Sequence, residues 1–177
     1  MRSQNPRPED EQRLTDWVHQ FSRPLFGFVL AMTGKADLAE DLTQEVFQRA
    51  WQARERYEEK GEARAYLFRI ADRLIKDWRR KKKGETTVSD ESWVLLEPGG
   101  EEHAASAAAI SREENSRLAA AMRQLTDAQR RVLLMRYFGN LDFSQIALIT
   151  DSPINTVLSH CRRGLLAMKK LMAEESP

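Results

Sequence analysis

The chain has 177 residues, enough for one large or two small domains, and its 41% hydrophobic and 31% charged residues are ordinary for a folded, soluble protein. A single cysteine, Cys161, excludes an internal disulfide or a Cys-rich metal site, and three scattered histidines lack metal-ligand spacing, so no metal and no cofactor is expected. The net charge of +1 conceals a partition: residues 1–83 carry 18 basic and 14 acidic groups (+4), residues 84–115 carry 1 and 8 (−7), and residues 116–177 carry 9 and 5 (+4). Two basic blocks joined by an acidic segment suggest two nucleic-acid-facing modules with a connector repelled by the same surface. No apolar run approaches the roughly 20 residues of a membrane span. The N-terminal residues lack an apolar signal core, so a cytoplasmic protein with no membrane insertion is expected.

The chain reads as helical throughout, since no stretch sustains period-2 alternation. A first helix is predicted over 8–32, with Leu14, Trp17, Val18, Phe21, Leu25, Phe28, Val29 and Met32 on one face, and Pro24 should kink or split it. A second runs from about 37 to 55, opened by a capping box of Asp37 and Glu40, with Leu38, Leu42, Val46 and Ala50 as its core stripe. Asp41, Gln44, Glu45 and Gln48 fall at i, i+3, i+4 and i+7, one polar and non-basic face that suits a protein partner with basic residues. Residues 54–61 read as a loop. A third helix over 62–82 has the stripe Leu67, Ile70, Ala71, Leu74, Ile75 and Trp78, while Arg69, Arg73, Lys76 and Arg80 stand on another face at phosphate-pairing spacing. Tyr57 and Tyr66, interleaved with these cations, are candidates for stacking unpaired bases, whereas Phe68 and Trp78 are expected in the core.

Residues 84–111 are rich in Glu, Ser, Gly and Ala and read as a flexible acidic linker, with a short helix possible from His103 and an apolar island at Trp93, Val94, Leu95 and Leu96. A C-terminal unit follows. Thr126 caps a helix that Gly139 and Asn140 end. A helix-turn-helix then occupies 141–163: Asp142 and Gln145 form a capping box, the break falls at Asp151, Ser152 and Pro153, and Ser152 caps a second helix with Pro153 at its first position. Ile154, Val157, Cys161, Leu165 and Met168 make its apolar stripe, and Asn155, Ser159, Arg162 and Arg163 present donors and acceptors suited to base edges and phosphates. There is no P-loop, nucleophile elbow or His–carboxylate cluster, so the chain is not expected to be an enzyme and no catalytic residue is assigned.

Three motifs in order carry a family resemblance. The stretch EDLTQEVFQRAW at 40–51 resembles the core-polymerase-binding helix of bacterial sigma factors, RAYLFRIADRLIKDWRR at 64–80 their minus-ten-reading and melting helix, and LTDAQRRVLLMRYF at 125–138 with the helix-turn-helix their minus-thirty-five-reading domain. The chain is similar to the two-domain extracytoplasmic-function (ECF) group. The resemblance implies an all-α fold of two small helical domains, 8–83 and 112–173, joined by the acidic linker 84–111. It implies an alternative sigma factor that binds core RNA polymerase and directs promoter-specific initiation in response to a stress or envelope signal. The implied partners are core polymerase, promoter DNA and an anti-sigma factor, with the free protein a monomer. By position, Asp41, Gln44, Glu45 and Gln48 would grip polymerase; Arg54, Arg56, Tyr57, Lys60, Arg64, Tyr66, Arg69, Arg73, Lys76 and Arg80 would meet the minus-ten element; Ser152, Asn155, Thr156, Ser159, Arg162 and Arg163 would enter the minus-thirty-five groove. Asp151 stands where the family usually has Gly, Leu158 for Lys, His160 for Arg and Cys161 for Leu. The alternative is a helix-turn-helix regulator that binds operator DNA as a dimer, which leaves the polar face of the second helix unexplained.

Overall fold

The computed structural model describes residues 7–58, 61–82 and 105–174, with side chains of the last stretch over 115–173. Among these residues every regular element is helical: α1 (Pro8–Thr33), α2 (Ala36–Gln52), a 3-10 turn (Arg54–Arg56), α3 (Ala63–Lys82), α4 (Ala105–Gln124), α5 (Asp127–Leu133), α6 (Phe143–Thr150) and α7 (Ile154–Glu174). Lys60 and the apolar island at 93–96 lie outside the described residues.

α1, α2 and α3 form the first unit. α1 opens with Pro8 and the acids Glu9, Asp10 and Glu11, which suit the positive end of a helix, and closes at Gly34 in the left-handed region (φ 72°), whose N–H reaches the Leu30 carbonyl. Pro24 does not split it: the helix runs through, with Trp17, Phe21, Leu25, Phe28 and Met32 all buried. α2 does not begin with the expected box. Its N-cap position is Lys35, with no side-chain cap, so Asp37 falls in the first turn, where its charge still favours the helix dipole. α2 also ends at Gln52, earlier than expected, and passes into the 3-10 turn. α3 is the centre of the unit: Leu67, Phe68, Ala71, Leu74 and Ile75 are buried against α1 and α2. Phe68 is fully buried as expected, but Trp78 is only half-buried, with Lys82 Nζ 5.2 Å from its ring centre.

α4 to α7 form the second unit. The short helix expected from His103 is a long one, α4, which starts at Ala105, carries Leu118 and Met122 and ends at Gln124. Thr126 caps α5 in a full capping box with Gln129, and α5 continues into a π-helical segment over Leu134–Phe138. On α7 the buried line is Val157, Cys161, Gly164 and Met168, whereas Ile154 and Leu165, expected in that stripe, are each 44% exposed. The cause is Gly164, where an added Cβ would lie 3.0 Å from Leu133 Cδ1: α7 meets its neighbours most closely along the glycine.

The two units pack directly on each other. α3 lies against α6, and α1 against the π-helical segment, so one apolar cluster extends from Trp17 to Met168.

Candidate polymerase- and DNA-binding faces

The first face is on α2. Asp41, Gln44, Glu45 and Gln48 do share one surface, a concavity of about 400 Å³ that Arg49 and Gln52 complete. Its one cation is spent locally, since Arg49 Nη2 lies 2.6 Å from Glu45 Oε1. The surface that remains is acidic and amide-rich. It can accept hydrogen bonds from a basic partner, while its carboxylates disfavour phosphates.

The second face joins the 3-10 turn to α3. Tyr57 meets Trp17 edge-on, ring centres 4.8 Å apart, and Tyr66 at 4.8 Å and a tilt of 43°. Arg13 sits over both Trp17 and Tyr57, at 5.7 and 5.6 Å, tied to Asp10 at 2.6 Å. Trp17 and Arg13 therefore complete an aromatic cluster that sequence spacing assigned to Tyr57 and Tyr66 alone. Their only signal was a Trp one turn from an Arg on a helix far from the loop. Burial pushes the Tyr66 phenol up, so it stays protonated and able to donate. Arg56 is exposed; Arg54 folds back over the Trp51 ring at 4.6 Å and donates to the Trp51 carbonyl.

The cations assigned to α3 divide. Arg69 and Arg73 are exposed, as phosphate contact requires. Arg80 is exposed too and pairs with Asp77 at 3.1 Å. Lys76 is held 2.8 Å from Asp72 Oδ2. Arg64 turns away from the solvent face: it donates to the Gly139 carbonyl at 3.1 Å and covers the Phe21 ring at 5.1 Å. Asp72 itself was missed. It is fully buried among the α3 stripe residues, with Arg131 Nε at 3.0 Å from its second oxygen, and both contacts are charge pairs without hydrogen-bond alignment. A lone acid in the stripe, four residues after Phe68 and three before Ile75, was its sequence signal.

The third face is the helix-turn-helix. Asp142 Oδ1 accepts from the Gln145 N–H at 2.7 Å and Gln145 Oε1 from the Asp142 N–H at 3.1 Å, the expected box. Asp151 adopts the left-handed conformation (φ 54°, ψ 48°), and its N–H and that of Ser152 both reach the Ala147 carbonyl. Ser152 does not cap α7. Its hydroxyl donates to the Thr150 carbonyl at 3.3 Å, and the helix starts at Ile154, one residue beyond Pro153. Asn155, Thr156, Ser159, Arg162 and Arg163 are all exposed, and Leu158 is exposed beside them (41%). Cys161 is buried; burial pushes its thiol up, against the opposing charge of Arg136 and a hydrogen bond with Tyr137, which suits packing rather than reactivity. Among the described residues no group of three His, Cys, Asp or Glu side chains is placed to hold a metal.

A concave acidic helix, a basic helix with an aromatic loop, and a helix-turn-helix thus occur in this order. The family model for sigma-70 region 2 matches residues 17–85, and that for sigma-70 region 4 matches 116–168. The chain belongs to the ECF sigma factors. It is 31% identical to the ECF RNA polymerase sigma factor SigM of Bacillus subtilis over 86% of this chain and 93% of that one. It is 24% identical to SigW of the same organism, over 93% and 91%. In fold, this ECF factor resembles the sigma factor RpoE solved with the anti-sigma factor NepR from Bartonella quintana (TM-score 0.76, 18% identity, 93% and 99% covered). It also resembles CnrH solved with the cytosolic domain of CnrY (TM-score 0.67, 17% identity, 94% and 91% covered).

Proposed function

We propose that this alternative sigma factor divides promoter-directed initiation among its three faces. Residues 8–83 hold core RNA polymerase through Asp41, Gln44, Glu45 and Gln48 and engage the minus-ten element through the loop and α3. Residues 112–173 read the minus-thirty-five element through α7. The observation that carries the polymerase assignment is the convergence of those four side chains on one concave, cation-poor surface, separate from the exposed arginines Arg69 and Arg73. Separation lets polymerase and DNA bind at once without competing for a residue.

On α3, Arg69, Arg73 and Arg80 would follow the backbone, while Tyr57 and Tyr66, steadied by Trp17, offer ring surface to a base leaving the stack. Such stacking is worth about 1–3 kcal/mol per base, comparable with the few kcal/mol that unstacking costs. Melting then follows from binding alone, and no covalent step is assigned. The bonds of Arg64 to the Gly139 carbonyl and of Lys76 to Asp72 support a structural share in their roles beside contact with DNA. No helix among the described residues is long and apolar enough to cross a membrane, and we place the factor in the cytoplasm, where its template is. The solved complexes of RpoE and CnrH support an anti-sigma partner for this chain as well.

The test is a pull-down with purified core polymerase. Replacing Asp41 and Glu45 together by Lys should weaken capture at least about tenfold, since two attractive charges become repulsive, each pair worth up to about 1 kcal/mol at an exposed surface. Unchanged capture removes the α2 face from the assignment.

A further inference from the structure

Among the polar readers of α7 stands a side chain that can neither donate nor accept a hydrogen bond. Leu158 follows Asn155 by three residues and precedes Arg162 by four, so the three lie along one side of the helix, with Ser159 next to them. α7 is held to the fold by Val157 and Cys161, 1% and 5% exposed, whereas Leu158 is 41% exposed and adds little to the core. Ile154, one turn earlier, is exposed to a similar degree but lines a groove with Ala147, Leu148 and Pro153 beside the turn. Leu165 and Leu166 are exposed too, yet they lie seven and eight residues beyond Leu158, about 10 Å further along the axis. The first turns of a recognition helix are the ones that reach base edges. Leu158 is therefore the exposed apolar group set between the readers themselves.

In the major groove guanine shows two acceptors, adenine an acceptor and a donor, cytosine a donor, and thymine an acceptor and the C5 methyl. The methyl is the one apolar group on that surface. A leucine laid against it removes apolar area from water on both molecules. Laid against guanine, adenine or cytosine, it strips water from a polar edge and returns no hydrogen bond. We propose that Leu158 is a specificity-determining residue that reads a thymine methyl in the minus-thirty-five element. This role rests on the assignment of α7 to that element and adds the base: an A·T pair at Leu158, with thymine on the strand that the residue faces. The contact carries no charge, so its selectivity persists at salt concentrations that weaken contacts between cations and phosphates.

The experiment uses the full chain with core polymerase and a duplex library randomised across both promoter elements. Captured by the wild type, the library should enrich thymine at one minus-thirty-five position. Leu158→Ala should lose the preference at that position alone, and Leu158→Lys should exchange it for guanine, whose O6 and N7 accept from an ammonium. Circular dichroism checks that both variants keep their helices. Deoxyuridine in place of that thymine then removes only the methyl. It should weaken binding by the wild-type holoenzyme about fourfold, the scale of burying one methyl group, and leave binding by the Leu158→Ala holoenzyme unchanged. A structural role for Leu158 does not produce that coupling between one side chain and one base methyl. If Leu158→Ala removes no thymine preference, or if deoxyuridine weakens wild type and Leu158→Ala equally or neither, the methyl contact is overturned and the assignment of α7 stands. If the wild type enriches no position in the minus-thirty-five region, that assignment is overturned and the methyl contact with it.

Discussion

α3 and α7 both present cations in the helical register that DNA contact requires, yet the fold uses them differently. α3 is packed against α1, α2 and α6, and much of its charge is engaged by protein: Lys76 by Asp72, Arg79 by Asp127 and the Met32 carbonyl, Arg64 by Gly139. α7 rests on α4, α5 and α6 along a line of small or slender residues and keeps Arg162 and Arg163 exposed, with Arg163 Nε donating to the Ser159 carbonyl of its own helix. Counting cations on a helix therefore overstates its capacity for phosphates when the helix is central. α3 builds the fold and leaves only part of its charge free of protein partners, whereas α7 is carried by the fold and keeps most of its outer face exposed.

The largest contrast is in stability. Phe68 is wholly buried between α1, whose Phe28 ring lies 5.3 Å away, and the close approach of Gly139. Phe68→Ala should cost about 3–5 kcal/mol in urea denaturation, the range for emptying a large aromatic site. Met168→Ala on α7, 8% exposed near the end of its stripe, should cost less than about 2 kcal/mol because water and neighbours can fill the space. Equal losses would mean that α7 is as central as α3.

DNA binding should show the reverse order. Arg162→Ala with Arg163→Ala should lower promoter-dependent run-off transcription by about tenfold or more and reduce the salt slope of DNA binding by about 2, one for each phosphate contact. Lys76→Ala should leave that slope nearly unchanged, because its ammonium already neutralises Asp72. A slope that falls as much for Lys76 as for either arginine would place Lys76 on DNA after all.

These differences mark where sequence was legible. The caps at Thr126 and Asp142 each depend on residues three apart, so spacing revealed them. The α2 face was legible for the same reason, being one stripe of one helix. Local pattern failed where a distant contact decides. Ile154 and Leu165 follow the apolar period of α7 but are exposed, because Gly164, which no count of apolar residues includes, marks the line of closest approach. Asp37 and Glu40 have capping-box spacing, yet the chain enters the helix at Lys35 and Ala36 from Gly34. The partner of Arg64 is 75 residues away and that of Arg79 is 48 away, and nothing in the spacing of either helix encodes such pairs.

The helix-turn-helix offers a finer test at its two ends. Asp142→Ala removes the half of a reciprocal cap in which the Asp142 carboxylate accepts from the Gln145 N–H, while the bond from the residue-142 N–H to Gln145 Oε1 can remain, and should cost about 1 kcal/mol of unfolding free energy by chemical denaturation. Thr126→Ala should cost a similar amount at α5, where the same box is drawn with a longer bond of 3.3 Å. A loss confined to Asp142 would show that α6, only eight residues long, needs its cap more than α5, which continues into the π-helical segment.

At the other end of α6, Asp151 holds φ at 54°, a conformation that a side chain makes unfavourable by roughly 1 kcal/mol and that glycine adopts without that cost. Asp151→Gly should relieve the strain but enlarge the freedom of the unfolded chain, an opposing effect of about 0.4–1 kcal/mol. The two nearly cancel, so the expected gain is at most about 0.5 kcal/mol, read as a rise of a degree or two in thermal midpoint. The substitution also removes an acidic group from the turn that leads into the recognition helix, so affinity for DNA should rise modestly and more at low salt. A clear loss of stability would show that the Asp151 carboxylate makes a stabilising contact in solution and that the turn is shaped by its side chain rather than merely tolerating it.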